Sequence, residues 1–205
     1  MIVLGLTGSV GMGKSTAAAM FRRMRVPVHD SDAAVHRLLA PGGAGVKPVV
    51  AVFPGVSDRA GGIDRGTLGA RVFGDAPALK RLERILHPLV RQSQARFLKA
   101  ARARRAPLVV LDIPLFFETG GEKRCDAVVV VSAPPWVQRA RVMARPNMTE
   151  GRFRAILAKQ MPDREKRRRA QYVVPTGLGR AVTYRALTRI VRALKEGARK
   201  RPRGI

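Results

Sequence analysis

The chain has 205 residues, 46% hydrophobic and 5% aromatic, enough for one folded α/β domain with a small inserted subdomain and too few for two large ones. Forty Lys and Arg against 14 Asp and Glu give a net charge of +26, a field that attracts polyanions. The basic residues are spread along the chain without an RNA-recognition or helix-turn-helix signature, so no dedicated, sequence-specific nucleic-acid function is expected of them. No apolar run reaches the length of a membrane span, and no basic segment precedes an apolar stretch at the N-terminus, so secretion and membrane insertion are disfavoured. Cys125 is the single cysteine and has no internal disulfide partner; it reads as a small packing residue. A cytoplasmic protein, monomeric or weakly homo-oligomeric, is the expectation.

Five short apolar runs, at 2–6, 26–29, 108–112, 127–131 and 172–174, predict buried strands, each followed by a turn or helix. Helical connections between such strands predict right-handed crossovers and a doubly wound parallel α/β sheet. Residues 33–107, without a convincing strand, read as a helical insertion, with a flexible break at Pro41-Gly42-Gly43-Ala44-Gly45. Within it Asp64 caps a helix beginning near Arg65, Pro77 suits the first turn of the next, and His87-Pro88 interrupts that helix before a further one over 89–106. After the fourth run, Pro134-Pro135 opens a helix over 136–144. Thr149 caps a second and Asp163 a third, and together residues 145–169 read as a small helical lid. A last helix over 181–196 turns Val182, Leu187, Ile190, Val191 and Leu194 inward, and residues 197–205 form a basic tail.

The strongest local signal is Gly8-Ser-Val-Gly-Met-Gly-Lys-Ser15, which fits the P-loop pattern G-x-x-x-x-G-K-[ST] between a strand-like run and a helical one. Gly8, Gly11 and Gly13 let the backbone turn its N–H groups toward a phosphate chain, and Met12 lies among them. Lys14 is placed to reach the β- and γ-phosphates, Ser15 to offer a hydroxyl to Mg²⁺, and Thr16 continues the helix whose positive dipole end faces the same oxygens. Asp30, Asp32 and Asp112 follow or end predicted strands, where ligands bind in open α/β sheets. Such a carboxylate holds a metal, accepts a proton from an attacking hydroxyl, or caps a helix, and the residues alone leave these roles open. An ATP-driven nucleic-acid switch is a second class to consider. It would end the third strand in an acidic pair that activates water, whereas Asp112-Ile113-Pro114 shows one acid followed by proline.

These motifs together resemble the dephospho-CoA kinase family over nearly the whole length. The resemblance rests on Leu6-Thr7-Gly8, Asp30-x-Asp32, Ile63-Asp64-Arg65 with Val72-Phe73, Leu86-His87-Pro88, Asp112 to Glu118, Arg141 to Arg145, and Gln160-Met161. It implies a P-loop NTPase-type fold and transfer of the γ-phosphate of ATP, with Mg²⁺, to the 3′-hydroxyl of the ribose of dephospho-CoA. It implies Asp32 as base, Lys14 and Arg141 as catalytic phosphate ligands, Arg145 as a further nucleotide ligand, and Ser15 with Asp112 at the metal. Thr7, Asp30, His87, Pro114, Leu115 and Phe117 would border the acceptor. The sequence departs from the family's pattern at Gln171, where an acid is usual, and at Pro175, where an acid or amide is common; both bear on the adenine side near residues 176–179.

The +26 charge generates a first prediction. Affinity for duplex DNA should be weak, indifferent to sequence, and should fall by roughly a decade or more between low and physiological salt. Fluorescence anisotropy titrations check this, and tight selective binding that survives salt would contradict it.

Overall fold

The computed structural model of the chain describes residues 1–200. In chain order the elements are β1 (Ile2–Thr7), α1 (Lys14–Arg23), β2 (Val28–Asp30), α2 (Ser31–Leu39), α3 (Val46–Val52), α4 (Arg65–Val72) and α5 (Ala76–Ala103). They continue with β3 (Leu108–Asp112), a 3₁₀ turn at Gly121–Arg124, β4 (Ala127–Ser132), α6 (Pro135–Met143), α7 (Glu150–Ala158), α8 (Asp163–Arg169), β5 (Tyr172–Pro175) and α9 (Arg180–Lys200). They divide into two compact units, one of residues 1–29 and 101 onward, the other Asp30–Ala100.

The first unit is built on a five-stranded parallel sheet in the order β2-β3-β1-β4-β5. β1 is its centre, paired with β3 from Ile2↔Leu108 to Leu6↔Asp112 and with β4 from Leu4↔Ala127 to Thr7↔Val130. All six residues of β1 are buried, as are all of β3 and β4, which is why these runs show no polar alternation. Residues two apart share a face: Ile2, Leu4, Leu6, Leu108, Val110, Val129 and Val131 pack with Phe21 of α1 and Leu187 and Ile190 of α9 into one core. The chain leaves β1 toward β2 on one side and returns to β4 on the other, so the carboxyl end of β1 is a topological switch point, the place where such sheets bind ligands.

The second unit has its own core of Leu39, Val49, Phe53, Val56, Ile63, Leu68 and Leu86. Asp64 caps α4 as expected, accepting from the N–H groups of Gly66 and Thr67. The expected break at His87-Pro88 does not occur: α5 runs unbroken through 28 residues with Pro88 inside it. Proline removes one helical hydrogen bond and crowds the preceding turn. The inward stripe nevertheless continues on both sides of it, from Leu82, Ile85 and Leu86 to buried Gln94 and Ala101, and packing holds the helix together. Two further boundaries differ. Pro162 rather than Asp163 stands at the cap of α8, because the Asp163 carboxylate is already engaged by the Ser132 hydroxyl at 2.7 Å. α9 continues to Lys200, past the expected end at 196; residues 201–205 of the basic tail lie outside the described residues.

Because Pro88 is solvent-exposed within a continuous helix, Pro88→Ala should stabilise the protein, by up to about 3 kcal/mol. Denaturant unfolding measures it, and an unchanged or lowered midpoint would show that the proline does not interrupt the helical ladder.

Candidate active site

The loop between β1 and α1 turns back tightly. Gly11 and Gly13 have φ of 76° and 88°, in the left-handed region that glycine adopts without strain. At Gly11 a side chain is doubly excluded, since a Cβ would stand 2.6 Å from Val142 Cγ2 and 2.9 Å from the Gln138 carbonyl oxygen. No side chain caps α1 at Gly13; the first intrahelical bond runs from Ala17 N–H to the Gly13 carbonyl at 3.0 Å. The N–H groups of Lys14, Ser15 and Thr16 therefore have no acceptor among the described residues, and they stand at the positive end of the helix dipole. That is an anion site by construction.

The loop's carbonyls are held from outside. Gln138 Nε2 donates to the Val10 carbonyl at 2.8 Å, Arg141 to the Gly11 carbonyl at 3.4 Å, and the buried Thr176 hydroxyl to the Met12 carbonyl at 2.8 Å. Gln160 Oε1 accepts from Val10 N–H at 3.1 Å, and Met12 Sδ from Ala133 N–H at 3.0 Å. Of these partners, Gln138, Gln160 and Thr176 were not among the residues singled out from the sequence for binding. Gln160 is part of the Gln160-Met161 motif, and Thr176 opens the stretch 176–179.

Register brings the expected Lys14 and Asp112 together: Asp112 ends β3 opposite Leu6 of β1, and its Oδ1 lies 2.7 Å from Lys14 Nζ. The carboxylate side chain is 3% exposed and the ammonium 16%. Ser15 is exposed at the start of α1, and Thr16 and Ser15 line a groove with Ala19, Met20, Arg23, Arg180 and Tyr184. The Thr7 hydroxyl donates to the Pro114 carbonyl at 3.4 Å. Beyond Pro114, Leu115 is exposed, whereas Phe117 is 6% exposed with its ring edge-on to fully buried Phe116. Arg141 directs its guanidinium at Thr176 as well, 2.6 Å from the carbonyl and 3.2 Å from the hydroxyl oxygen, so several of its donors serve the loop's scaffold. Arg145 is exposed after α6.

The second unit carries the remaining three. Asp30 caps α2, its Oδ1 accepting from Ala33 N–H at 2.9 Å. Asp32 is exposed in the first turn of α2. His87 is exposed on α5 in a shallow groove with Lys80, Glu83, Arg84, Pro88 and Arg91. Burial pushes the Cys125 thiol up to about 12, Arg124 opposing the rise and Asp126 adding to it, as suits a packing residue rather than a nucleophile.

A central strand, a glycine loop with outward-tied carbonyls, and a Lys–Asp pair at the switch point define a P-loop kinase. Comparison with known proteins narrows the class. The pattern of the family described as Dephospho-CoA kinase matches residues 2–178. A curated Dephospho-CoA kinase of Rhodospirillum rubrum is 54% identical over 99% of this chain and 96% of its own, and one of Paramagnetospirillum magneticum is 65% identical over 82% and 78%. Among solved structures, a Thermus thermophilus protein superposes with a TM-score of 0.80 at 37% identity, covering 94% of this chain and 96% of its own. The dephospho-CoA kinase of Campylobacter jejuni, 21% identical, shares the fold with a TM-score of 0.68 over 95% and 98%. The chain belongs to the dephospho-CoA kinase family. No helix among the described residues is long and apolar enough to cross a membrane.

The crowding at Gly11 yields a prediction. Gly11→Ala should leave the sheet folded but disturb the loop, raising the Kd for ADP by at least about 10²-fold, since strain of a few kcal/mol is at stake. Titration calorimetry with a thermal melt checks it; normal affinity would mean the loop backbone does not bind phosphate.

Proposed function

We infer that the protein transfers the γ-phosphoryl group of ATP to the 3′-hydroxyl of the ribose of dephospho-CoA, giving coenzyme A and ADP. The observation that carries the reading is the loop itself: free N–H groups at the start of α1 beside a Lys14–Asp112 pair, in a chain of this family.

The chemistry is positional and electrostatic. Charge spread over the transferred group's oxygens meets the loop N–H groups and the Lys14 ammonium, fixed dipoles that need no reorganisation during transfer. Arg141 steadies the loop through Gly11 and Thr176, and its remaining N–H groups are available to a phosphate. Arg145, in the proposed lid of residues 145–169, adds a cation that closes over the nucleotide and excludes water.

Asp32 is the proposed base: it stands two residues after β2 in the sequence, is exposed, and has no cap to make, unlike Asp30. Thr7, Pro114 and exposed Leu115, with Phe117 behind them, are proposed to contact the acceptor. His87 and Asp30, of the segment 33–107 and its border, are further proposed acceptor ligands. Ser15 and Asp112 offer a hydroxyl and a carboxylate, the hard oxygen donors that Mg²⁺ prefers alongside water and phosphate oxygens. Bound there, the ion would neutralise charge on the β- and γ-phosphates.

Steady-state kinetics of ADP release, with dephospho-CoA beside adenosine, AMP and RNA as acceptors, tests the reading. Lys14→Ala should lose activity by orders of magnitude while still folding, its melt lowered because the buried Asp112 carboxylate loses the ammonium 2.7 Å away. Asp32→Asn should lower kcat by on the order of 10²-fold or more with ATP affinity nearly intact, while the loss in Asp112→Asn should be partly recovered at higher Mg²⁺. If Mg²⁺ rescues Asp32→Asn instead, the two roles are exchanged, and turnover of another acceptor in place of dephospho-CoA would refute the substrate.

A further inference from the structure

Lys166 of α8 is completely buried, and its Nζ lies 3.0 Å from Glu118 Oε1. Glu118 is the ammonium's ion-pair partner, and no further hydrogen-bond acceptor for Nζ is found among the described residues. The same Glu118 oxygen accepts from Met161 N–H at 2.7 Å. Next to Met161, Gln160 reaches the phosphate loop, its Oε1 on Val10 N–H at 3.1 Å, and Gln138 holds the other side of Val10 through its carbonyl. Glu118 is in turn fixed by its own segment, a compact turn in which Thr119 N–H bonds the Leu115 carbonyl, anchored by buried Phe116.

A buried charge pair whose ammonium has no second acceptor is a poor source of stability, since two apolar side chains of similar volume do as well or better. What it supplies is uniqueness of placement, because an ammonium buried without its carboxylate is costly and only one arrangement of these segments pairs it. Partial burial pushes the Glu118 carboxyl up, but the Met161 N–H, its own backbone N–H and the Lys166 ammonium outweigh this and hold it below the usual glutamate range. The carboxylate is therefore charged at neutral pH.

We propose that Glu118, through Met161 and the buried Lys166, is a positioning residue that keeps Gln160 on Val10 and so holds the phosphate loop in its nucleotide-binding form. With both its N–H and its carbonyl engaged, Val10 cannot flip its peptides; a flipped peptide would aim a carbonyl oxygen at the phosphates. The proposal rests on the reading of the loop as the ATP site and adds the device that keeps it in shape.

The test is ADP binding to the full-length protein by calorimetry, with turnover measured in parallel. Glu118→Gln and Gln160→Ala should each raise the ADP Kd by about tenfold, the scale of a lost hydrogen bond to a charged or loop-fixing group. Because the two act in one chain of contacts, the double variant should bind no more weakly than the weaker single one. Should Glu118→Gln fail to fold, the pair Glu118→Gln with Lys166→Met removes both charges and should show the same ADP defect. A lowered melting temperature with unchanged ADP affinity, multiplying effects in the double variant, or a rise confined to the KM for dephospho-CoA would each overturn the latch. If the wild-type protein binds ADP but does not phosphorylate dephospho-CoA, the proposed acceptor fails while the ADP data still judge the latch. Failure to bind ADP at all would sink both.

Discussion

A loop that presents backbone N–H groups to a phosphate must send its carbonyls the other way, and in a packed protein those carbonyls need donors. That constraint governs this molecule. The donors come from Gln138 and Arg141 of α6 and from Thr176 after β5, so the elements on the β4 and β5 side of the sheet are set around the back of the loop. Thr176 is itself tied to Ser132 at the end of β4 by its backbone N–H at 2.8 Å, which makes the sheet's edge the rigid reference for the loop. The front of the loop depends on β1 lying between β3 and β4, because only that order puts Asp112 beside Lys14.

Much of this was legible in the amino-acid sequence. Strands buried on both faces show as unbroken apolar runs; all five strands stand within two residues of where the pattern placed them, but only β1, β3 and β4 are buried throughout, β2 and β5 being edge strands and partly exposed. The glycine loop follows from a motif whose spacing is set by backbone geometry, and Asp112 lies on Lys14's side of the sheet as its strand-end position implies, although their ion pair was not legible. The misses share a cause. Pro88 is a local signal for a break, but the continuous inward stripe of α5 is a tertiary one, and it prevailed. Asp163 has the chemistry of a cap, but a hydroxyl 31 residues away in sequence engages it. Gln138 has no local signature, and Gln160 only the Gln160-Met161 motif, which says nothing of its role, since an amide that holds a distant carbonyl or N–H reads like any surface amide until the fold brings Val10 to it.

The charge imbalance has a structural counterpart in how the few acids are placed. Asp30, Asp64 and Asp75 accept from N–H groups at or near the starts of α2, α4 and α5; Asp58 holds the turn N–H groups of Ala60 and Gly62; Asp126 accepts from Val3 N–H at 2.7 Å. With 40 cations in the chain, a carboxylate has no shortage of ion-pair partners. Yet six of the 14 acids, these five and Glu118, accept from backbone N–H groups, where a charged acceptor is worth more than in an exposed ion pair. The basic excess is thus largely a property of the surface, while these acids are placed by the needs of the backbone.

The two departures from the family's pattern fit the same logic. Gln171, where an acid is usual, gives its Oε1 to Val128 N–H at 2.8 Å, serving β4 as Asp126 serves β1. An amide oxygen is sufficient for that bond, and its neutral form adds no charge. Pro175 ends β5, which is an edge strand, and there a residue without an N–H is tolerated. Its carbonyl is not idle: the Thr183 hydroxyl of α9 donates to it at 3.0 Å. Pro175 pairs with Ser132 in register and directly precedes Thr176, and the ring's fixed φ restricts the backbone one residue before the threonine that holds Met12. Pro175 thus adds stiffness to the turn whose Thr176 supports the phosphate loop.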